Sequence, residues 1–124
     1  MTYIKNIEEE ALKNENFRTV IYTDPRLQLV FMSLKPGEDI GMEAHDLDQF
    51  IRIEQGEGTA IVGGKEFALE DGSVVIIPKG TEHNIINATA GPMKLYTVYA
   101  PANHPPGTVH VTKEEAMKAE AHAK

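Results

Sequence analysis

The sequence predicts an all-β fold, a sandwich or barrel of about eight short strands. Three observations carry this. Runs rich in Val, Ile, Leu, Phe and Tyr recur at roughly 8–12-residue spacing, each stopped by Gly, Pro, Asp or Asn. Gly63-Gly64 between two such runs is a two-residue hairpin signal. No long helical pattern separates the runs, as the crossovers of a parallel sheet require.

The elements follow in order. Ile4, Ile7, Ala11 and Leu12 recur at helical spacing, with acidic residues early and Lys late, and predict a helix over Ile4–Lys13. Strands are expected at Phe17–Tyr22, stopped by Asp24-Pro25, and at Leu27–Leu34, stopped by Pro36-Gly37. Gln49–Glu54 is a third, ending at Gly56-Glu57-Gly58. Thr59–Val62 and Glu66–Leu69 flank the glycine pair. Val74–Ile77 ends at Pro78, His83–Asn87 runs to Ala90-Gly91-Pro92, and Met93–Tyr99 closes the series before Pro101. Thr112 followed by Glu115 has the form of a capping box and opens a C-terminal helix, TKEEAMKAEAHAK. Both helices are short, so they depend on docking.

The 124 residues make one domain, with a barrel core over about residues 17–101 and a tail and helix over 102–124. The chain has 12 Lys and Arg against 19 Asp and Glu, a formal charge of −7. An acidic chain without a basic run excludes nucleic acid as a partner. With 41% hydrophobic and 25% charged residues the composition is globular, not disordered. No apolar stretch is long enough to span a bilayer, so no membrane partner is expected. The absence of cysteine excludes disulfides, thiolate ligands, Fe–S clusters and a Cys nucleophile. The opening MTYIKNIEEEALKNEN is neither a secretory signal nor a transit peptide, and a cytoplasmic location is expected.

The chemistry-bearing residues lie around two turns. Glu43 and His45 are two apart, so on a strand they share a face. If the strand resumes in phase, Gln49 returns to that face with Ile51 and Ile53, while Phe50, Arg52 and Glu54 point away. Pro78-Lys79-Gly80-Thr81-Glu82-His83 sets a second His at the start of a strand. Three or four N and O donors converging inside a barrel make a divalent metal site. The competing reading is a polar, water-filled pocket without metal.

The two turns resemble both motifs of the cupin superfamily. The first motif has the form G-x5-H-x-H-x3,4-E-x6-G. Here it reads Gly37, five residues, Glu43, Ala44, His45, three residues, Gln49, six residues, Gly56. The second has the form G-x5-P-x-G-x2-H-x3-N. It is met at every defined position by Gly72, Pro78, Gly80, His83 and Asn87. The stretch PGEDIGMEAHDLDQFIRIEQGEGTAIVGGK and the tail YAPANHPPGTVH look like small single-domain bacterial cupins. Those are often labelled as similar to mannose-6-phosphate isomerase, which implies a shared barrel and not a substrate.

The resemblance implies a double-stranded β-helix, or jelly-roll, barrel with a metal held by Glu43, His45, Gln49 and His83. The family's set is three His and one Glu. Here Glu43 stands at the first His position and Gln49 at the Glu position, so ligand count and formal ligand charge are kept. Neutral imidazole and carboxylate suit Zn, Mn, Fe, Ni or Cu. Without Gln49, the two His and one carboxylate leave open positions for dioxygen chemistry or Lewis-acid catalysis.

Tyr96 and Tyr99 lie on opposite faces of the last strand, so one faces the cavity. If it is Tyr99, Thr97 joins it, and Tyr99 is a candidate general acid or hydrogen-bond donor; the alternative is a core Tyr satisfied by backbone. An uncoordinated Glu43 is a candidate base. Arg52 is expected outside, and Arg18 and Arg26 are unassigned. His104 and His110 flank Pro105-Pro106-Gly107, expected to be an ordered surface loop instead of a flap across the mouth. His122 is expected to be exposed. Asp46 and Asp48 are rim residues or partners that orient His45, and Asn87 is expected to support its turn.

Two functions compete. One is a small metalloenzyme that isomerises, epimerises, lyses or oxygenates a small polar substrate. The other is a non-catalytic barrel that binds or senses a small molecule. A homodimer is expected, with Phe17–Tyr22 as the edge that pairs with a partner's sheet.

Overall fold

The computed structural model describes residues 2–122. Ala123, Lys124 and the side chain of His122, which the expected last helix includes, lie outside the described residues. Helix α1 (Ile7–Lys13) starts at Ile7 instead of Ile4 because Asn6 caps it, its side-chain oxygen accepting from Glu9 N. Nine strands follow: β1 (Arg18–Asp24), β2 (Leu27–Leu34), β3 (Asp48–Gln55), β4 (Gly58–Val62), β5 (Lys65–Leu69), β6 (Val74–Ile77), β7 (His83–Asn87), β8 (Met93–Ala100) and β9 (Val109–His110). Helix α2 (Lys113–His122) is capped as expected, with Thr112 Oγ1 accepting from Glu115 N at 3.1 Å. The eight expected strands are all present, and β9 is an addition.

The strands form two antiparallel sheets, β6-β3-β8-β2-β1-β9 and β5-β4-β7, a jelly roll. Gly63 and Gly64 turn the β4–β5 hairpin with φ of 57° and 80°, left-handed values that glycine adopts without strain. The β4–β7 pair needs glycine for another reason. A Cβ at Gly58 would lie 2.0 Å from Ile86 O.

The core fills the space between the sheets. Val30, Met32, Leu34, Ile51, Ile53 and Leu95 of the larger sheet meet Ala60, Leu69 and Ile85 of the smaller one. Each such Leu or Ile contributes about 1.5–3 kcal/mol relative to exposure. The alternation expected in β3 holds: Gln49, Ile51 and Ile53 are buried, Phe50, Arg52 and Glu54 half-exposed. Outside the larger sheet, Ile7 and Ala11 of α1 cover Leu29, Phe31, Tyr96 and Val98.

One expectation needs correcting here. The outer edge of β1 is already occupied by the chain's own tail. Arg18 pairs with His110 and Thr19 with Val109, and Val20 N donates to Thr108 O at 2.8 Å. This part of the Phe17–Tyr22 run is therefore not a free edge for a partner.

Candidate metal centre and cavity

Glu43 and His45 lie in the loop that leads into β3, before its first residue. That loop is held like a strand. Glu43 forms an isolated antiparallel bridge with His83, and Ile40 N donates to Ile85 O, so residues 39–43 run beside β7. Gly80 N donates to His45 O at 2.8 Å, and Lys79 N to Asp48 Oδ1 at 2.9 Å. The Pro78–Gly80 turn thus clamps the Glu43–Asp48 loop, with Gly80 at φ 81°. Asn87 supports its own turn, donating to the carbonyls of Leu34, Lys35 and Gly91.

These constraints bring the ligand candidates together. One donor atom each from Glu43, His45 and His83 lies within 4.8 Å of the other two. Glu43 Oε2 and His45 Nε2 are 2.6 Å apart. His83 is 1% exposed. Its Nδ1 sits 3.0 Å from Thr81 O, and its Nε2 has no partner among the described residues. The Thr81 carbonyl needs a proton from Nδ1, which leaves the lone pair on Nε2. Gln49 is buried opposite Tyr99 in the β3–β8 ladder. Its Nε2 donates to Thr97 Oγ1 at 2.9 Å, and its Oε1 has no partner among the described residues. Two buried acceptor atoms without donors are costly unless something occupies them. A carboxylate, two imidazoles and an amide oxygen fit a divalent cation.

Burial alone would push the Glu43 carboxyl up. The hydrogen bond to His45 and the electrostatic pull of His45, Arg18 and His83 outweigh it and hold the group below the usual carboxylate range. Asp46 pairs with Lys79 and not with His45.

Beyond the cluster lies a cavity of about 710 Å3, lined by Met42, Glu43, His45, Asn103, His104, His110 and Glu120 among others. The tail residues among these correct the expectation of a surface loop. The tail folds over the mouth because Gln28, buried in β2, holds it. Gln28 Nε2 donates to Thr23 Oγ1 and His104 O, and its Oε1 accepts from Asn103 N and His104 N. Gln28 shares the inward phase of Val30, Met32 and Leu34, and a polar residue in that phase is the signal that was available.

Tyr99 points inward, with its hydroxyl 3.4 Å from His104 Nε2 and its ring edge-on to His45 at 5.8 Å. Burial pushes its phenol above the usual range. Burial and then Arg18 press the His104 imidazole down to about 3, so it is neutral near pH 7. Tyr96 faces outward against Phe50. Arg18, unassigned from sequence, is buried in the inward phase of Val20 and opposite Met32.

Residues 30–99 match the family model described as a cupin domain. The chain is a cupin. This cupin is 46% identical to YrkC of Bacillus subtilis (strain 168), over 95% of its own length and 67% of that protein. It is 48% identical to L612 of Acanthamoeba polyphaga mimivirus, over 92% of its length and 74% of that protein. Both relatives are described as uncharacterized. The crystal structure of BH2720 from Bacillus halodurans matches the cupin with a TM-score of 0.93 at 42% identity, covering 95% of each chain. Among the described residues no helix is long and apolar enough to cross a membrane.

Proposed function

We propose that this cupin holds one divalent transition metal through Glu43, His45, Gln49 and His83, and binds a small oxygenated molecule in the cavity beside it. The observation that carries this is the pair of buried, partnerless acceptors, His83 Nε2 and Gln49 Oε1. His83 Nε2 belongs to the cluster with the Glu43 and His45 donors, and the cupin motif supports Gln49 as the fourth ligand. A bound metal supplies Lewis acidity and open coordination positions for oxygen donors.

The chain's own residues prepare the rest. Thr81 O fixes the tautomer of His83, and Thr97 Oγ1 turns the Gln49 amide so that oxygen, not nitrogen, is free. Tyr99 keeps its proton near neutral pH and acts as a buried hydrogen-bond donor behind His104 and His45, which line the cavity. In the enzymatic form of the reading, Glu43 leaves the ligand set and accepts a proton, and Tyr99 donates one, during isomerase-like, lyase or oxygenase chemistry.

A second reading is a binding or sensing cupin without turnover. His104 favours it. An imidazole that titrates at about 3 is a weak base near pH 7, far from the value that suits general-base catalysis.

The test is elemental analysis of the wild type beside His83→Ala. Near-stoichiometric metal in the wild type, lost in the variant, is the expected result. Wild type that stays metal-free after reconstitution with Zn, Mn, Fe, Ni and Cu in turn overturns the metal assignment. Iron or copper directs assays to oxygen consumption, and the other ions to isomerase and lyase substrates.

A further inference from the structure

The strongest feature that the metal site does not use is Arg18. It is a full charge in β1 with 2% exposure. A charge so buried needs partners, and an Arg fork has five donors to satisfy. Its Nη1 has two contacts, His110 Nδ1 at 3.2 Å and Glu120 Oε1 at 3.3 Å. Its Nε is buried with no partner among the described residues. The ion pair with Glu120 is a single contact, although the guanidinium is built to hold a carboxylate by two.

Glu120 is an unequal partner. It sits near the end of α2, is 47% exposed and lines the cavity with His110. Its carboxylate comes from a residue 102 positions away in the chain. The backbone of Arg18 is fixed by the sheet, since it lies opposite Met32 on one side and His110 on the other. Arg18 also pulls electrostatically on Glu43 and His104, so its charge reaches the metal-site end of the same cavity. Arg18 does not itself line the cavity; it lies behind the part of the wall that His110 and Glu120 form, with its Nη1 on both.

We propose that Arg18 is the anion-recognition residue of this cavity, and that Glu120 is a built-in carboxylate which a carboxylate-bearing ligand displaces. The ligand class is a small organic acid with its carboxylate on Arg18 and further oxygen groups toward Glu43 and His45. This deepens the small-molecule reading of the cavity. The Arg18 part stands apart from the metal, because its partners are not metal-ligand candidates.

The test uses the full chain labelled with 15N, as wild type and Glu120→Ala. The Arg18 Nε–Hε cross-peak is assigned by its loss in Arg18→Lys. Sodium acetate is titrated against sodium chloride at matched ionic strength, with acetamide as the neutral control. The expected result is a saturable shift of the Arg18 peak with acetate alone. Its midpoint should be about 5-fold lower in Glu120→Ala, as removal of a half-exposed ion-pair competitor implies. An unmoved Arg18 peak, equal shifts with acetamide, or equal midpoints in the two proteins overturns the proposal. Metal content is measured on the same samples. A metal-free protein that shows the acetate effect defeats the metal reading alone, and a metal-loaded one without it defeats the Arg18 reading alone.

Discussion

Glu43 and His83 each donate a backbone N–H to the other's carbonyl, at 2.9 and 2.8 Å, and so hold two candidate ligands side by side. Residues paired in this way across antiparallel chains project their side chains to one face. The loop that carries Glu43 is thus positioned by backbone, and its side chain is free for chemistry.

Glu43→Gln separates these roles. The backbone pair survives, and the amide keeps a hydrogen-bonding group near His45. The thermal midpoint should stay within about 4 °C of wild type. Metal affinity should fall by more than the roughly 10–100-fold that loss of an outer partner costs, because a charged ligand is removed. Differential scanning calorimetry and competition with a chromophoric chelator measure the two effects. Full metal retention would remove Glu43 from the ligand set.

Thr97 bears on Gln49 in the same way. Thr97→Val keeps the shape and deletes the acceptor for Gln49 Nε2. The amide is then free to rotate, and a buried donor loses its partner at a cost of about 1–3 kcal/mol. Metal affinity should drop by roughly 10–100-fold, as for other outer partners. Unchanged affinity would mean that Gln49 does not coordinate.

Much of this was legible in the sequence, and the reason is local. The inward phase of Gln49, Ile51 and Ile53 follows from strand alternation, and Gly63-Gly64 and Gly80 from the φ values their turns need. Arg18 and Gln28 were not legible, because their partners are remote. Arg18 meets His110 and Glu120 from 92 and 102 positions away, and Gln28 meets His104 from 76. Strand β9 is two residues long and exists only because the tail is tied down there. The same docking turned the expected surface loop into a cavity wall.

Gln28→Leu tests that docking. It removes four hydrogen bonds at once, two of them from the Asn103 and His104 amides. The tail should lift, and amide exchange at Asn103 and His104 should speed up by at least about 10-fold, equivalent to about 1.4 kcal/mol of lost protection. The amides of β3 and β8 should keep their protection. Uniform loss of protection would show global destabilisation and no special hold on the tail.

His104 predicts a pH effect. Its value is 6.5 as an ordinary histidine and about 3 in the fold, with burial the first cause and Arg18 the second. Between these values the unfolded chain binds a proton that the folded chain refuses. Stability therefore falls as pH drops from about 6.5 toward 3, by at most about 1.4 kcal/mol per pH unit from this group. Above 6.5 the group contributes nothing to the slope. His104→Gln should show a shallower decline between about pH 6.5 and 4 in urea melts. Equal slopes would mean that His104 takes up its proton in the folded state.

The sheet edges that the tail does not cover bear on oligomeric state. Strand β6 ends the larger sheet, and β5 ends the smaller one. Val74 and Ile76 on β6 are 48% and 67% exposed, and Phe67 on β5 is 52% exposed. An exposed apolar edge is a template for another chain unless it is covered. We predict that a homodimer forms through this surface and not through the β1 edge, where β9 already sits. Light scattering should give twice the 13.7 kDa chain mass for wild type. Ile76→Glu puts a charge at the centre of that surface and should return the mass to a single chain, with the fold intact by circular dichroism. A wild-type mass of one chain at micromolar concentration rules the dimer out, and a dimer that survives Ile76→Glu moves its interface elsewhere.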